Sequence, residues 1–293
     1  MQSQEKERPL WVYRVVLLAA TIIWGLGFVI GKYAIAAVGA TWFTGIRFLG
    51  GGLVMLILLF PHFKRHINKK VLKAGIIIGF FSFLGFWTQF IGLGWTTPAK
   101  NAFLSTCYCL TVPFIWWIIA RQKPAKRILK AAPICAIGIG LVSLQGGLSI
   151  SPGDTMSIVS AFAYGVEIVA ISIMMKDNDV LTVTVIQQLT GGVLALGVAM
   201  VTQPVPAVEL FADSLLIGSL AYVSVLSAAF GAFAQNLAQS RVPAAEASIM
   251  LSMESVFCAI FSVIILGEMF TAQMIVGFCL ILFAIILSQR QGA

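Results

Sequence analysis

Two carboxylates and one guanidinium sit where a chain this apolar should hold no charge. Glu167 and Glu254 each fall near the middle of a long hydrophobic run, and Arg47 lies about two turns inside another. A charge at the centre of a bilayer-spanning helix costs at least about 2.5–3.5 kcal/mol, so it is kept only where it faces a cavity or a partner. A carboxylate in such a place can hold a cationic group or exchange a coupling proton. Glu167 is the stronger candidate, because Ser157, Ser160 and Tyr164 recur with it at three- and four-residue steps along one helix face. Glu254 is its rival. Arg47 is expected to be structural, snorkelling outward or pairing with a backbone carbonyl or a carboxylate.

Comparable stripes occur in other runs. Thr21, Trp24, Gly25 and Phe28 share one face; Ser82, Gly85 and Gln89 share a second. Asn101, Ser105 and Tyr108 form a third, and Ser224, Ala228, Gly231 and Gln235 a fourth, with Asn236 adjacent. Small, polar and aromatic side chains together suit a partly hydrated cavity for a small amphipathic molecule. The substrate-binding candidates are therefore Trp24, Phe28, Gln89, Asn101, Tyr108, Tyr164, Glu167, Gln235 and Asn236, with Glu167 and Glu254 as coupling candidates. For the serines, alanines and glycines, helix packing accounts for the pattern better. Nothing in the pattern asks for a cofactor or a metal. His62 and His66 share one basic loop without a nearby carboxylate, and are expected to be solvated or close to lipid headgroups.

Ten apolar runs must position these groups, near residues 12–36, 41–60, 71–95, 99–120, 128–146, 154–175, 180–202, 214–239, 244–266 and 271–289. Each is long enough to cross roughly 30 Å of hydrocarbon as a helix. Hydrophobic residues make up 59% of the chain and charged residues 10%, against about 45–50% and about 25% in soluble domains. The expected fold is therefore all-α and integral to the membrane, with ten transmembrane helices. The five cysteines all fall inside these runs, which argues against a disulfide framework. The first run has no small-residue cleavage site and reads as a retained helix. Trp11, Trp116 and Trp117 at one set of ends, and Trp42 and Trp95 at the other, fit interfacial belts; Trp24 and Trp87 lie deeper.

The basic residues sort by side. With the N-terminus inside, all but Lys32, Arg47 and Lys100 fall at cytoplasmic positions, concentrated at Lys64–Lys73 and Arg121–Lys130. Such enrichment sets orientation, and places both termini on the cytoplasmic side of a bacterial inner membrane. The net charge of +8 is then explained by loops facing anionic lipid, and a nucleic-acid partner is not expected.

The Gly/Ser/Pro segment Gln145–Asp154 divides five runs from five, giving residues 1–148 and 149–293 as two repeats. Trp24-Gly25 matches Tyr164-Gly165 at an offset of 140, as Gly51-Gly52 matches Gly191-Gly192. Pro98-Ala99 matches Pro243-Ala244 at an offset of 145, and Ala102 then matches Ala247. An odd number of spans per half makes the second half enter from the opposite side, so the repeats are of inverted topology, as in secondary transporters. The fifth and tenth runs carry glycines (Gly138, Gly140, Gly277) and few polar groups, and are expected to be scaffold or a homodimer contact.

The stretch WGLGFVIGK (Trp24 to Lys32), the passage TTPAKNAFLSTCYCLTVPFIWWIIARQKP (Thr96 to Pro124) and MESVFCAIFSVIILGE (Met253 to Glu268) carry a resemblance. Through them the chain resembles the EamA-type family of the drug/metabolite transporter superfamily over nearly its whole length. Ser255 departs from the family pattern by replacing a proline, so the kink expected after Glu254 is in question. The first half also ends without the acidic residue that closes the second. The resemblance implies ten helices opening alternately to each side, with the first, third, fourth, sixth, eighth and ninth around a central cavity.

The function expected is secondary transport of small metabolites such as amino acids or amines by alternating access, with export as the favoured direction. An organic-cation or drug exporter of the same superfamily is the alternative. A lipid-modifying membrane enzyme would need clustered acid/base or metal groups, which the scattered carboxylates do not provide. A non-transporting sensor or scaffold is a further alternative. No G-x-x-x-x-G-K-[ST] run occurs, so energy must come from a gradient.

Overall fold

The computed structural model describes residues 9–121, 123, 126–144 and 150–289. Lys6, Arg8, Arg290, the Gln145–Ser149 part of the linker and Pro124 lie outside the described residues.

The described chain is helical, with no strand among the described residues. In order, the first half holds α1 (Leu10–Val38), α2 (Ala40–Leu58), the short α3 (Phe60–His66), α4 (Lys69–Trp95), α5 (Pro98–Ser105), α6 (Tyr108–Ala120) and α7 (Lys126–Ser143). The second holds α8 (Pro152–Met174), α9 (Val180–Thr202), α10 (Ser214–Ala221), a π-helical stretch (Tyr222–Phe230), α11 (Gly231–Gln239), α12 (Ala244–Leu266) and α13 (Ala272–Gln289).

Among the described residues eight helical stretches are long and apolar enough to cross a membrane. The other two of the ten spans expected from sequence fall on α7 and α13, 18 residues each, within which the apolar stretches Leu129–Val142 and Ala272–Leu287 stand out. The first turns of α7 carry Lys126, Arg127 and Lys130. Two runs read as single spans are composite. The fourth breaks into α5 and α6 at Thr106–Cys107, and the eighth is interrupted by the π-helix.

Helix ends follow local chemistry. Asn68 Oδ1 accepts from the backbone N–H of Lys70 and Val71 and starts α4. Asp179 caps α9 and Asp213 caps α10 in the same way. Gly39, at φ 83°, lets α1 turn directly into α2, and Gly267, at φ 65°, terminates α12. No kink follows Glu254: α12 runs unbroken through Ser255, whose hydroxyl donates to Ser252 O at 2.8 Å.

Glycines set the closest helix contacts, and the contacts recur. A Cβ on Gly52 would stand 3.0 Å from Leu189 N, and one on Gly192 2.7 Å from Leu49 N. Because Gly52/Gly192 and Leu49/Leu189 are each 140 positions apart, α2 and α9 make one contact in both directions. Gly138 and Gly277 behave alike, each placing a Cβ 2.9 Å from the other's carbonyl oxygen. A Cβ on Gly231 would stand 2.5 Å from Trp24 Nε1, and one on Gly85 2.7 Å from the Tyr164 ring, so both rings need a glycine beneath them.

Two ion pairs close opposite ends. Arg14 Nε stands 2.5 Å from Glu246 Oε1, joining α1 to α12. Lys100 Nζ stands 2.8 Å from Asp154 Oδ2, joining α5 to α8, with Asp154 fully buried. Asp154 Oδ2 nevertheless has no hydrogen bond of good angle, so this contact is ionic rather than directional. Lys32 Nζ fixes the geometry by donating to Leu93 O, Gly94 O and Thr96 O. Thr96 Oγ1 in turn reaches Asp154 Oδ1 at 3.3 Å. Arg14 and Lys32 are eighteen residues apart on α1, about 27 Å along its axis, so the two pairs lie at opposite ends.

Candidate functional site: a buried charged cavity

The centre of the bundle encloses a cavity to which α1, α2, α4, α6, α8, the π-helix, α11 and α12 all contribute. Trp24, Phe28, Gln89, Tyr108, Tyr164, Glu167, Gln235 and Glu254 line it, as do Arg47, Phe86 and Ser227. These positions converge because each is buried on the polar stripe of its own helix, where a lipid-facing register would strand its polar atoms. The space measures about 40 Å³, whereas sites for drug-sized ligands run from about 300 Å³. In this conformation the cavity has room for water and not for a metabolite.

Of the two arrangements expected for Arg47, snorkelling is ruled out: the residue is 2% exposed and faces the cavity. Its guanidinium lies 3.9 Å from the Phe86 ring centroid, with Phe48 and Phe90 at 5.2 and 5.6 Å. Such stacking is favourable for a desolvated cation. Nη2 donates to Ser227 Oγ at 3.3 Å, while Nη1 is buried without a hydrogen-bond partner. Trp24 also ends on Ser227, its Nε1 donating to the carbonyl oxygen at 2.9 Å. Ser227 belongs to the π-helix, whose wider turn is a feature of functional sites in helices. Tyr222, which opens that stretch, donates its hydroxyl to Ile23 O at 2.8 Å and pins it to α1.

The carboxyls are held differently. Glu167 Oε1 accepts from the Ser82 hydroxyl and from Gln187 Nε2 at 3.2 Å. Glu254 Oε1 accepts one longer bond, from Tyr108 OH at 3.3 Å. Tyr164 OH donates to Gln89 Oε1 at 2.7 Å, and Gln89 Nε2 donates to Ser105 Oγ at 2.9 Å.

Two candidates sit off the lining. Asn236 Nδ2 donates to Thr184 Oγ1 and Gln187 Oε1, at 2.8 and 2.6 Å, so its amide ties α11 to α9. Asn101 Nδ2 donates to Gln89 O and Ser157 Oγ, at 3.0 and 2.6 Å, and ties α5 to α4 and α8. Asn101 shares a stripe with the lining residue Tyr108, and Asn236 adjoins that of Gln235, but each is turned toward a neighbouring helix, a difference that spacing alone does not encode.

His66 is exposed, as expected, but His62 is only partly so, because folding supplies it with the carboxylate that the local sequence lacks. Asp179 Oδ1 lies 2.9 Å from His62 Nε2. Partial burial works against ionisation of Asp179, but bonds from Thr182 and His62 outweigh it and hold the carboxyl below the usual range.

An apolar helical bundle around a buried charged cavity defines the class of polytopic membrane transporters. The sequence profile of the EamA-like transporter family matches residues 12–144 and again 151–289. The chain belongs to that family, within the drug/metabolite transporter superfamily. It is 27% identical over 271 residues to an uncharacterized transporter of Archaeoglobus fulgidus, covering 92% of this chain and 83% of the relative. It is 24% identical over 280 residues to the uncharacterized transporter YoaV of Bacillus subtilis, covering 90% and 92%. A solved crystal structure shares the fold at a TM-score of 0.70 and 14% identity, covering 95% of this chain and 96% of that one.

Proposed function

We propose that this transporter carries a small zwitterionic or cationic metabolite, an amino acid or an amine, by alternating access across the cytoplasmic membrane, with export as its direction. The observation that carries this reading is the composition of the central cavity. One guanidinium with a free Nη1 shares a small aromatic-walled space with two carboxyl groups. One carboxylate balances Arg47. The other is left for a substrate ammonium or a coupling proton, and Nη1 for a substrate carboxylate. An organic cation, the alternative cargo, would use the carboxyls and the rings of Trp24, Tyr108 and Tyr164 without needing Arg47.

Alternating access draws support from the contacts that recur about 140 positions apart. They are what two five-helix halves of opposite topology, residues 1–148 and 149–293, would make about a pseudo-two-fold axis, with α7 and α13 as the fifth span of each. The ion pairs approach the same relation with charge reversed. Arg14 corresponds to Asp154 at an offset of 140, while Lys100 and Glu246 are 146 apart, one position off the 145 that relates Pro98 to Pro243. Each pair ties the first helix of one half to the fourth span of the other, so opening one end while holding the other needs only one pair to part. The distribution of Lys and Arg supports placing both termini, and the Arg14 end, in the cytoplasm.

The test is flux of labelled amino acids and of their decarboxylated amines in proteoliposomes holding the wild type or Arg47→Met. Amino acid flux that depends on Arg47, with amine flux that does not, supports the zwitterion reading. Amine flux alone in both proteins replaces it with the cation reading. Reporter fusions at Lys64–Lys73 and at the 149–154 linker test orientation; the linker on the cytoplasmic side would end the ten-span arrangement.

A further inference from the structure

His62 and His66 stand one helical turn apart on α3, and Asp179 opens α9. One ligand atom from each lies within 4.8 Å of the others. The imidazole rings stack with centroids 4.0 Å apart. The hydrogen bonds around them set the tautomers. His66 Nδ1 lies 2.9 Å from His62 O; a carbonyl oxygen only accepts, so Nδ1 carries the proton and the Nε2 lone pair is left free. A ligating histidine is oriented in this way in metal centres, by a second ring nitrogen donating to a backbone carbonyl. His62 Nε2 faces Asp179 Oδ1 at 2.9 Å, close to the separation of two ligand atoms on one ion when each bond is about 2.0–2.2 Å. Thr182 donates to Asp179 Oδ1 through both its N–H and its hydroxyl, at 2.8 and 2.6 Å, and so fixes the carboxylate.

We infer that His62, His66 and Asp179 form a binding site for a divalent transition cation of the zinc class, which links α3 to the start of α9. Two imidazoles and one carboxylate select borderline ions such as Zn2+ over Mg2+ or Ca2+, which require several oxygen ligands. The surrounding loop is basic, with Lys64, Arg65, Lys69 and Lys70 close in sequence. An ion is therefore held by coordination and not by the field of the loop. On binding, the ion takes the place of the proton shared between His62 and Asp179, and that proton leaves to solvent. The site joins the first half of the chain to the second at the Arg14 end, because α2 carries the chain back along the length of α1. It is independent of the cargo and of the central cavity.

The full chain, purified in detergent with any polyhistidine tag removed, is titrated with ZnCl2 by calorimetry. Cys279, an exposed thiol, is changed to serine in every sample so that it cannot compete. The expected result is one Zn2+ per chain at micromolar concentration or tighter, unaffected by millimolar Mg2+. His66→Ala and Asp179→Asn are each expected to weaken binding at least tenfold. His66 is exposed, and asparagine caps a helix as well as aspartate does, so both variants keep the fold. Zn2+ is also expected to raise the thermal midpoint of the parent but not of either variant. Equal affinity in parent and His66→Ala, or no binding by the parent at micromolar Zn2+, overturns the assignment.

Discussion

Lys100 and Asp154 meet at 2.8 Å across the first and second halves of the chain, with the carboxylate at zero exposure and the lysine side chain at 13%. The corresponding contact at the other end, Arg14 with Glu246, leaves its partners 46% and 28% exposed. The same device is therefore dry at one end and wet at the other. Breaking a buried pair strands a charge and costs about 3–5 kcal/mol, whereas a solvated pair contributes little. Lys100→Met is expected to destabilise the purified protein by an amount in that range, and Arg14→Met barely at all. Thermal unfolding followed by size-exclusion chromatography in detergent checks this; equal losses would contradict it.

Gly192 and Gly197 lie on the same helix and predict opposite outcomes. A Cβ on Gly192 meets Leu49 N and Cα at 2.7 and 2.8 Å, and backbone cannot yield cheaply; around Gly197 nothing lies within 4 Å. Gly192→Ala is expected to cost about 1–3 kcal/mol by overpacking. Gly197→Ala is expected to be neutral or to stabilise by at most about 1 kcal/mol. Chemical or thermal denaturation of the two variants side by side gives the answer.

Arg47→Lys tests the geometry of the guanidinium apart from its charge. Lysine keeps the cation but loses the planar stack on Phe86 and the free Nη1. For a substrate carrying a carboxylate, half-saturation is expected to rise at least tenfold. For an amine lacking that group it is expected to stay within about twofold, since a factor of ten corresponds to about 1.4 kcal/mol of lost contact. A parallel loss for both substrates would make the residue structural.

Glu167→Gln retains an oxygen that can accept from Ser82 but removes the exchangeable proton and the charge. Transport is expected to lose its pH dependence if protons are coupled here, and its cationic selectivity if the ammonium binds here. Initial rates in proteoliposomes across a pH series, with Glu254→Gln alongside, separate the two carboxyls. Unchanged rates and pH profile in Glu167→Gln would move the role to Glu254.

Much of this arrangement was legible in the sequence, for identifiable reasons. Burial of a helix face in an apolar bundle imposes a three- and four-residue period on polar groups, so Trp24, Gln89, Tyr108, Tyr164, Glu167 and Gln235 could be placed from spacing, and they line one cavity. The direction Arg47 takes was not legible, because a long cation near a helix end also has an inexpensive way out to the interface. Only the stacked Phe86 and the receiving Ser227, on two other helices, show that it turns inward. The carboxylate beside His62 was invisible for a simpler reason: Asp179 is 117 positions away. The π-helical turn left no trace, since an i→i+5 bond uses the same residues as an i→i+4 bond.

The α7–α13 pair has a consequence for the lipid. Both helices hold 18 residues, about 27 Å along the axis against roughly 30 Å of hydrocarbon, whereas α1 holds 29, about 44 Å. Gly138 and Gly277 bring the two backbones together, so neither can slide past the other. In the ten-span arrangement this flank stands nearly upright, with Lys126, Arg127 and Lys130 reaching for the headgroups, while α1 must tilt or project beyond the hydrocarbon. A thicker bilayer would then load the α7–α13 edge before the rest of the bundle, and activity would respond to membrane thickness.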